Sequence, residues 1–224
     1  MNTYHDLKQA VIDACLRLQA MGYLVGTYGN ASARIPGGLI VTPSRVDYEA
    51  ITPDDMVVIA DDGRIIEGHR PPSSETSVHR LILNARPDIG AVFHTHSLYA
   101  SALSCLHETI PVIIEEQSQV IGAEIRCTRY VPAGQHLALG QEAAATLGSS
   151  NAVLLANHGV VACGRTIDEA VFTAQVAERV SQMYLMTRAV GIPVPIPQEY
   201  VDSERERWLY KYGTAADRAV VVDS

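Results

Sequence analysis

Five short apolar runs constrain the fold more than any other feature: LIVT at 39–42, VVIA at 57–60, RIIEG at 64–68, AVFHTH at 91–96 and AVLLAN at 152–157. Each is too short for a helix and is bounded by Pro, Gly, Asp or Asn, so each reads as a β-strand. Helical periodicity fills the intervals. Leu7, Val11, Cys15 and Leu18 recur at three- and four-residue spacing before Gly22, and Val78, Leu81 and Ile82 mark a second helical face within 74–85. Further helices are expected over 97–105, 135–147 and 202–212, and short strands over 111–114 and 126–130. Thr166-Ile167-Asp168-Glu169 has the form of a capping box, which predicts a long helix running to Gly191. Alternating strands and helices predict one α/β domain over residues 1–224, a largely antiparallel sheet covered by helices. The Pro-rich GIPVPIPQEY breaks the helical pattern and sets off a tail from about residue 192.

Charge and apolar content narrow the function classes. The formal net charge is −8 and no Lys/Arg-rich block occurs, which argues against a nucleic-acid partner. No stretch approaches the roughly 20 apolar residues of a membrane span, and the first ten residues carry charge rather than an apolar signal segment, so the expected location is cytoplasmic. Cys15, Cys105, Cys127 and Cys163 lack any Cys-x-x-Cys spacing and read as small core residues without disulfides.

His94 and His96 lie at i and i+2 of an expected strand, where side chains share a face, so both imidazoles can reach one ion if a third ligand comes from elsewhere. Alone, such a pair is more often a partly buried polar pair than a metal site. His158, between the strand AVLLAN and Gly159, is the candidate third ligand, and three imidazoles with an open position suit a catalytic metal. His5, His69, His107 and His136 have no such setting and read as surface or packing residues. Ser73, Ser74 and Glu75 lead into a helix, a pattern that serves simple capping or an anion site. Gly26, Gly29 and Asn30 form a turn that permits close backbone approach to a ligand.

GNASAR, TPS, PSSE, HTH and NHG occur here in the order and approximate spacing of the class II aldolase/adducin family, which the chain resembles from its first helix to KYG at 211–213. The resemblance implies a mixed, mostly antiparallel sheet, a homotetramer with fourfold symmetry and active sites between subunits, to which the C-terminal tail contributes. It implies a divalent metal, zinc first with manganese or cobalt as alternatives, on His94, His96 and His158. A phosphorylated sugar would be held through Gly29, Asn30, Ser44, Ser73 and Ser74. Glu75 matches the family's acid/base, and Tyr212 a tyrosine that handles the aldehyde-side oxygen from a neighbouring subunit.

The implied reaction splits a ketose 1-phosphate into dihydroxyacetone phosphate and an aldehyde, with a cation stabilising the enediolate, a carboxylate shuttling a proton at carbon and a phenol serving the C4 oxygen. Two departures bear on the substrate. Ser44-Arg45 replaces the Thr-Gly of the family's fuculose-phosphate-cleaving members, which either adds the bulky cation of Arg45 to the phosphate site or points it away. Glu115 stands where those members carry a second, aldehyde-facing tyrosine, and Glu116 follows it. A glutamate there resembles the methylthioribulose-1-phosphate dehydratases, yet those carry cysteine at the position of Glu75. The expectation is therefore an aldolase for fuculose, 5-deoxyribulose or methylthioribulose 1-phosphate. A dehydratase, a sugar-phosphate 4-epimerase and a non-catalytic adducin-like interaction domain are the competitors.

Overall fold

Strand β1 (Asn30–Ile35) divides its side chains between two cores: Ala31, Ala33 and Ile35 point into one apolar cluster, so Asn30, Ser32 and Arg34 face the other side. In the computed structural model, which describes residues 4–212, β1 sits near the middle of an eight-stranded sheet. The other strands are β2 (Gly38–Val41), β3 (Val57–Ala60), β4 (Ile65–Glu67), β5 (Ala91–Thr95), β6 (Arg126–Cys127), β7 (Ala152–Leu155) and β8 (Gly159–Gly164). Their order is β4-β3-β2-β1-β5-β8-β7-β6. Every pairing is antiparallel except β6 with β7, so the sheet is mixed and mostly antiparallel.

Helices cover both faces. On one lie α1 (His5–Ala20) and the start of α5 (Ile167–Val190), where Val11, Cys15, Leu18, Ala170 and Ala174 meet Ala31 and Phe93. Further along that face α3 (Leu98–Ser104) and the middle of α5 bring Leu103, Val176 and Val180 against Leu154 and Val160. On the other face α2 (Thr76–Ala85) and α4 (His136–Leu147) set Val78, Ile82, Leu139 and Ala143 against Val92, Val153 and Val161. Each fully buried Leu, Val or Phe contributes about 1.5–3 kcal/mol, which is why the central strands are apolar on both sides. Among the described residues no helix is long and apolar enough to cross a membrane.

Local signals explain the ends of the elements. Thr166 Oγ1 accepts the Glu169 N–H at 3.1 Å and starts α5 where the capping box places it. The Glu169 carboxylate instead turns to Arg165, accepting its backbone N–H at 3.0 Å and its guanidinium at 2.6 Å. The buried Glu178 carboxylate accepts the N–H groups of Tyr99 and Ala100, both at 2.9 Å, and so caps α3 from α5.

Several expectations are corrected. Residues 30–35, read as part of a turn, form β1, and the segment after His158 forms β8. No strand forms over 111–114; Ile110 makes an isolated bridge to Ile125, and Val112 gives its carbonyl to Ile196. The strand expected over 126–130 stops at Cys127. The last helix, α6 (Gln198–Tyr210), begins four residues before the expected Asp202, directly after Pro197. A π-helical turn, Gln117–Ile121, had no clear periodic signal. All four cysteines are free, but Cys105 is exposed at the end of α3 rather than part of the core.

Candidate active site

Three imidazoles converge at one end of the sheet. His94 lies one residue before the end of β5 on the face that Val92 also uses, His96 follows on the same side, and His158 sits in the turn joining β7 to β8. That turn is held by Ser104 of α3, whose carbonyl accepts Asn157 N–H at 3.1 Å and whose Oγ accepts His158 N–H at 3.2 Å. Asn157 adopts φ 55, a left-handed conformation asparagine tolerates. Gly159 has no substitute: a Cβ there would lie 3.2 Å from His94 Cε1 and closer still to the Thr95 carbonyl oxygen. Gly29, at φ 86, is required for the same reason, because a Cβ would come within 2.8 Å of the His94 carbonyl oxygen.

His94 Nε2 is 2.9 Å from His96 Nε2 and 3.3 Å from His158 Nε2. Tetrahedral coordination with bonds near 2.1 Å separates ligand nitrogens by roughly 3.4 Å, so this spacing fits one ion. The proton arrangement fits too. His94 Nδ1–H donates to the Val160 carbonyl at 3.1 Å, which leaves the Nε2 lone pair bare and aimed at its neighbours. Burial, then the neighbouring His94, holds His96 down to about 3 and His158 down to about 4, so both rings are neutral ligands at neutral pH. These three residues form a group that could hold a metal ion.

Glu75, at the N-terminal boundary of α2, brings Oε2 to 3.4 Å from His94 Nε2 and Oε1 to 3.3 Å from His158 Nε2. Burial pushes its carboxyl up, but His94, the Asn30 amide and His158 outweigh that and bring it to about 2, so it is ionised.

A cavity of about 610 Å³ opens over this cluster, lined by Gly29, Asn30, Ser44, Arg45, Ser73, Ser74, Glu75, His96 and His158, with Thr27, Tyr28 and Pro43. Ser74 is exposed, whereas Ser73 is buried and accepts the Glu75 N–H through Oγ at 3.2 Å. Arg45 is exposed at φ 58, and among the described residues its guanidinium has no ion-pair partner. Tyr28 stacks on His96 with centroids 5.5 Å apart. A second cavity, about 250 Å³, shares Glu75 and His158 and is walled by Val131, Pro132, Ala133 and Leu139, with Gln135, His136 and Asn157. A larger one, about 690 Å³, lies over Arg17, Arg34 and Arg165, which are occupied by Asp168, by backbone carbonyls and by Glu169.

The fold does not bring Glu115 and Tyr212 to either cavity beside the histidines. Both are exposed, and Tyr212 packs on Trp208 with centroids 4.9 Å apart. Gly213 of the KYG motif lies outside the described residues. Sequence reading passed over His79, which is fully buried beneath Asn30. Its signal was the four-residue interval from Glu75, which puts both on one face of a helix entry.

The chain that builds this sheet and site matches the family model described as class II aldolase and adducin N-terminal domain over residues 9–185. The chain belongs to the class II aldolase and adducin family. It is 35% identical over 192 residues to the L-fuculose phosphate aldolase of Escherichia coli (strain K12), covering 86% of this chain and 88% of that one. It is 36% identical over 213 residues to the 5-methylthioribulose-1-phosphate/5-deoxyribulose-1-phosphate aldolase of Rhodospirillum rubrum, covering 95% and 94%. A solved L-fuculose 1-phosphate aldolase superposes with a TM-score of 0.87 at 32% identity, covering 92% of this chain and 97% of that one.

Proposed function

We propose that this chain is a divalent-metal-dependent aldolase that cleaves a ketose 1-phosphate into dihydroxyacetone phosphate and an aldehyde. One observation carries the reading: three imidazole Nε2 atoms and an ionised carboxylate meet at the end of a polar cavity that also holds two serines at a helix entry and an exposed arginine. His94, His96 and His158 hold the ion, with zinc preferred and manganese or cobalt acceptable to the same imidazoles. When bound, the ion supplies Lewis-acid stabilisation of the charge that develops as the C3–C4 bond breaks.

The chain's own residues do the rest. Ser44, Arg45, Ser73 and Ser74 bind the phosphate, beside a wall formed by Gly29 and Asn30. The start of α2 adds the positive end of its dipole, so binding energy is gathered away from the reacting carbons. Glu75 moves the proton at C3 of the dihydroxyacetone phosphate half. Tyr212 serves the C4 oxygen and Glu115 shapes the aldehyde side, both acting across a subunit boundary of a homotetramer. That neither residue lines the two cavities beside the histidines supports that assignment. The Val131, Pro132, Ala133 and Leu139 wall of the smaller cavity supports an aldehyde half of low polarity, as in 5-deoxyribulose or methylthioribulose 1-phosphate, with fuculose 1-phosphate the third option.

Incubation of the metal-loaded protein with these three ketose 1-phosphates, with and without a chelator, tests the reading. Chelator-sensitive release of dihydroxyacetone phosphate from at least one of them is expected. Loss of water or inversion at C4 without cleavage would replace it with the dehydratase or epimerase alternative.

A further inference from the structure

Under the active site runs a chain of buried side chains of which the chemistry above uses only Asn30, and that for the phosphate wall. Asn30 Nδ2 donates to Glu75 Oε2 at 2.8 Å, Asn30 Oδ1 lies 2.5 Å from His79 Nε2, and His79 Nδ1 lies 2.8 Å from Ser32 Oγ. Ser32 and His79 are fully buried and Asn30 is 6% exposed. Burying three polar side chains costs free energy unless each is satisfied, and an apolar set of similar volume would pack without that cost.

The direction of every bond follows from the carboxylate at the end. Ionised Glu75 can only accept, so Asn30 must present its NH₂ group and turn its oxygen to His79. That oxygen can only accept, so the His79 proton sits on Nε2. Nδ1 is then a bare acceptor, and the Ser32 hydroxyl donates to it. Burial holds the His79 ring down to about 3, so the imidazole is neutral.

We propose that His79 is a positioning residue for the lyase reaction: its Nε2–H fixes which end of the Asn30 amide faces Glu75, and thereby holds the carboxylate in its working orientation. Without that donor the Asn30 oxygen is left buried with no partner, and only the carboxylate still favours the NH₂ end of the amide. A flipped Asn30 presents oxygen to oxygen and drives the Glu75 carboxylate off its line to the histidines. The inference rests on the assignment of Glu75 as the proton-transfer group made above. It also gives Asn30 a second duty beside the phosphate wall.

Two variants separate positioning from simple packing. His79→Gln retains an N–H that reaches the Asn30 oxygen, whereas His79→Leu fills the space without a donor. With metal content measured for each, His79→Leu is expected to lose roughly 100-fold in kcat, the scale of a misplaced catalytic group, with KM and metal occupancy near wild type. His79→Gln should recover most of that loss. Equal losses in both variants, or a rise in KM with kcat intact, would overturn the proposal. Imidazole ¹⁵N NMR of the wild type reads the same arrangement without turnover: an Nε2–H tautomer at neutral pH is expected, and an Nδ1–H or doubly protonated ring would contradict it. If the wild type cleaves none of the ketose phosphates, the functional reading falls while the NMR result still decides the hydrogen-bond order.

Discussion

Asn30 stands directly opposite His94 in the antiparallel pairing of β1 with β5. This register sets the amide that holds Glu75 beside the first imidazole of the cluster, although 64 residues separate the two strand positions. A slip by one residue would turn Asn30 and Ser32 into the apolar cluster on the other face and dissolve the site.

Removal of one imidazole should empty the metal site without unfolding the chain. His96 lies just beyond β5 and contributes no core packing, so His96→Ala is expected to lose bound metal by elemental analysis while retaining the helical circular dichroism of wild type. Full occupancy in that variant would remove His96 from the ligand set.

Phosphate recognition should be readable in KM. Ser74→Ala removes an exposed hydroxyl at the entry to α2 and is expected to weaken binding of the phosphorylated substrate by roughly 1–3 kcal/mol, the scale of a charge-assisted hydrogen bond. The unphosphorylated sugar should react far more slowly with wild type. Equal rates for the two sugars would show that the cavity does not read phosphate.

Arg45 couples stability to binding. A non-glycine residue at φ 58 costs about 1–2 kcal/mol. Arg45→Gly is therefore expected to raise the melting temperature, while raising KM and flattening its dependence on salt, since an exposed cation is screened. An unchanged KM would leave the strain at this turn without the binding role assigned to it.

Much of this was visible in the chain before folding. The apolar runs marked β2, β3, β5 and β7 to within a residue or two, because buried strands of a covered sheet carry continuous hydrophobic signal. β1 was hidden for the opposite reason: its face toward α2 carries Asn30, Ser32 and Arg34, and Asn, Ser and Gly together read as a turn. His94, His96 and His158 were legible from strand ends. His79 was not singled out, because its partners Asn30 and Ser32 come from a distant strand and the four-residue interval from Glu75 was its one local signal. Glu115 and Tyr212 illustrate a different limit, since a residue assigned to act across a subunit boundary has no signature in one chain's own contacts.

Asp55 should contribute an identifiable part of the pH dependence of stability. Asp55 is buried and accepts Arg70 Nε at 2.8 Å, Thr52 Oγ1 at 2.7 Å and Thr52 N–H at 3.0 Å. The Arg70 bond, then the Thr52 hydroxyl, lowers its carboxyl to about 2. A depressed folded-state value stabilises the fold above the unfolded value near 3.9, and that contribution, about 1–2 kcal/mol, disappears as pH falls toward 2. Asp55→Asn should be less stable at pH 7, and the difference from wild type in denaturant melts should shrink below pH 4. A difference that stays constant with pH would contradict the assignment.

The central claim, that Glu75 beside the three histidines moves a proton at the carbon of the dihydroxyacetone phosphate half, is tested most directly by solvent exchange. NMR of dihydroxyacetone phosphate in deuterated buffer avoids the question of which aldehyde the enzyme prefers. Metal-loaded wild type is expected to incorporate deuterium at C3. Glu75→Gln should keep its metal and lose exchange by a factor of about 10² to 10⁴, and Glu115→Ala should exchange nearly as fast as wild type. Exchange that survives in Glu75→Gln and vanishes in Glu115→Ala would contradict the account and transfer the proton to the other glutamate.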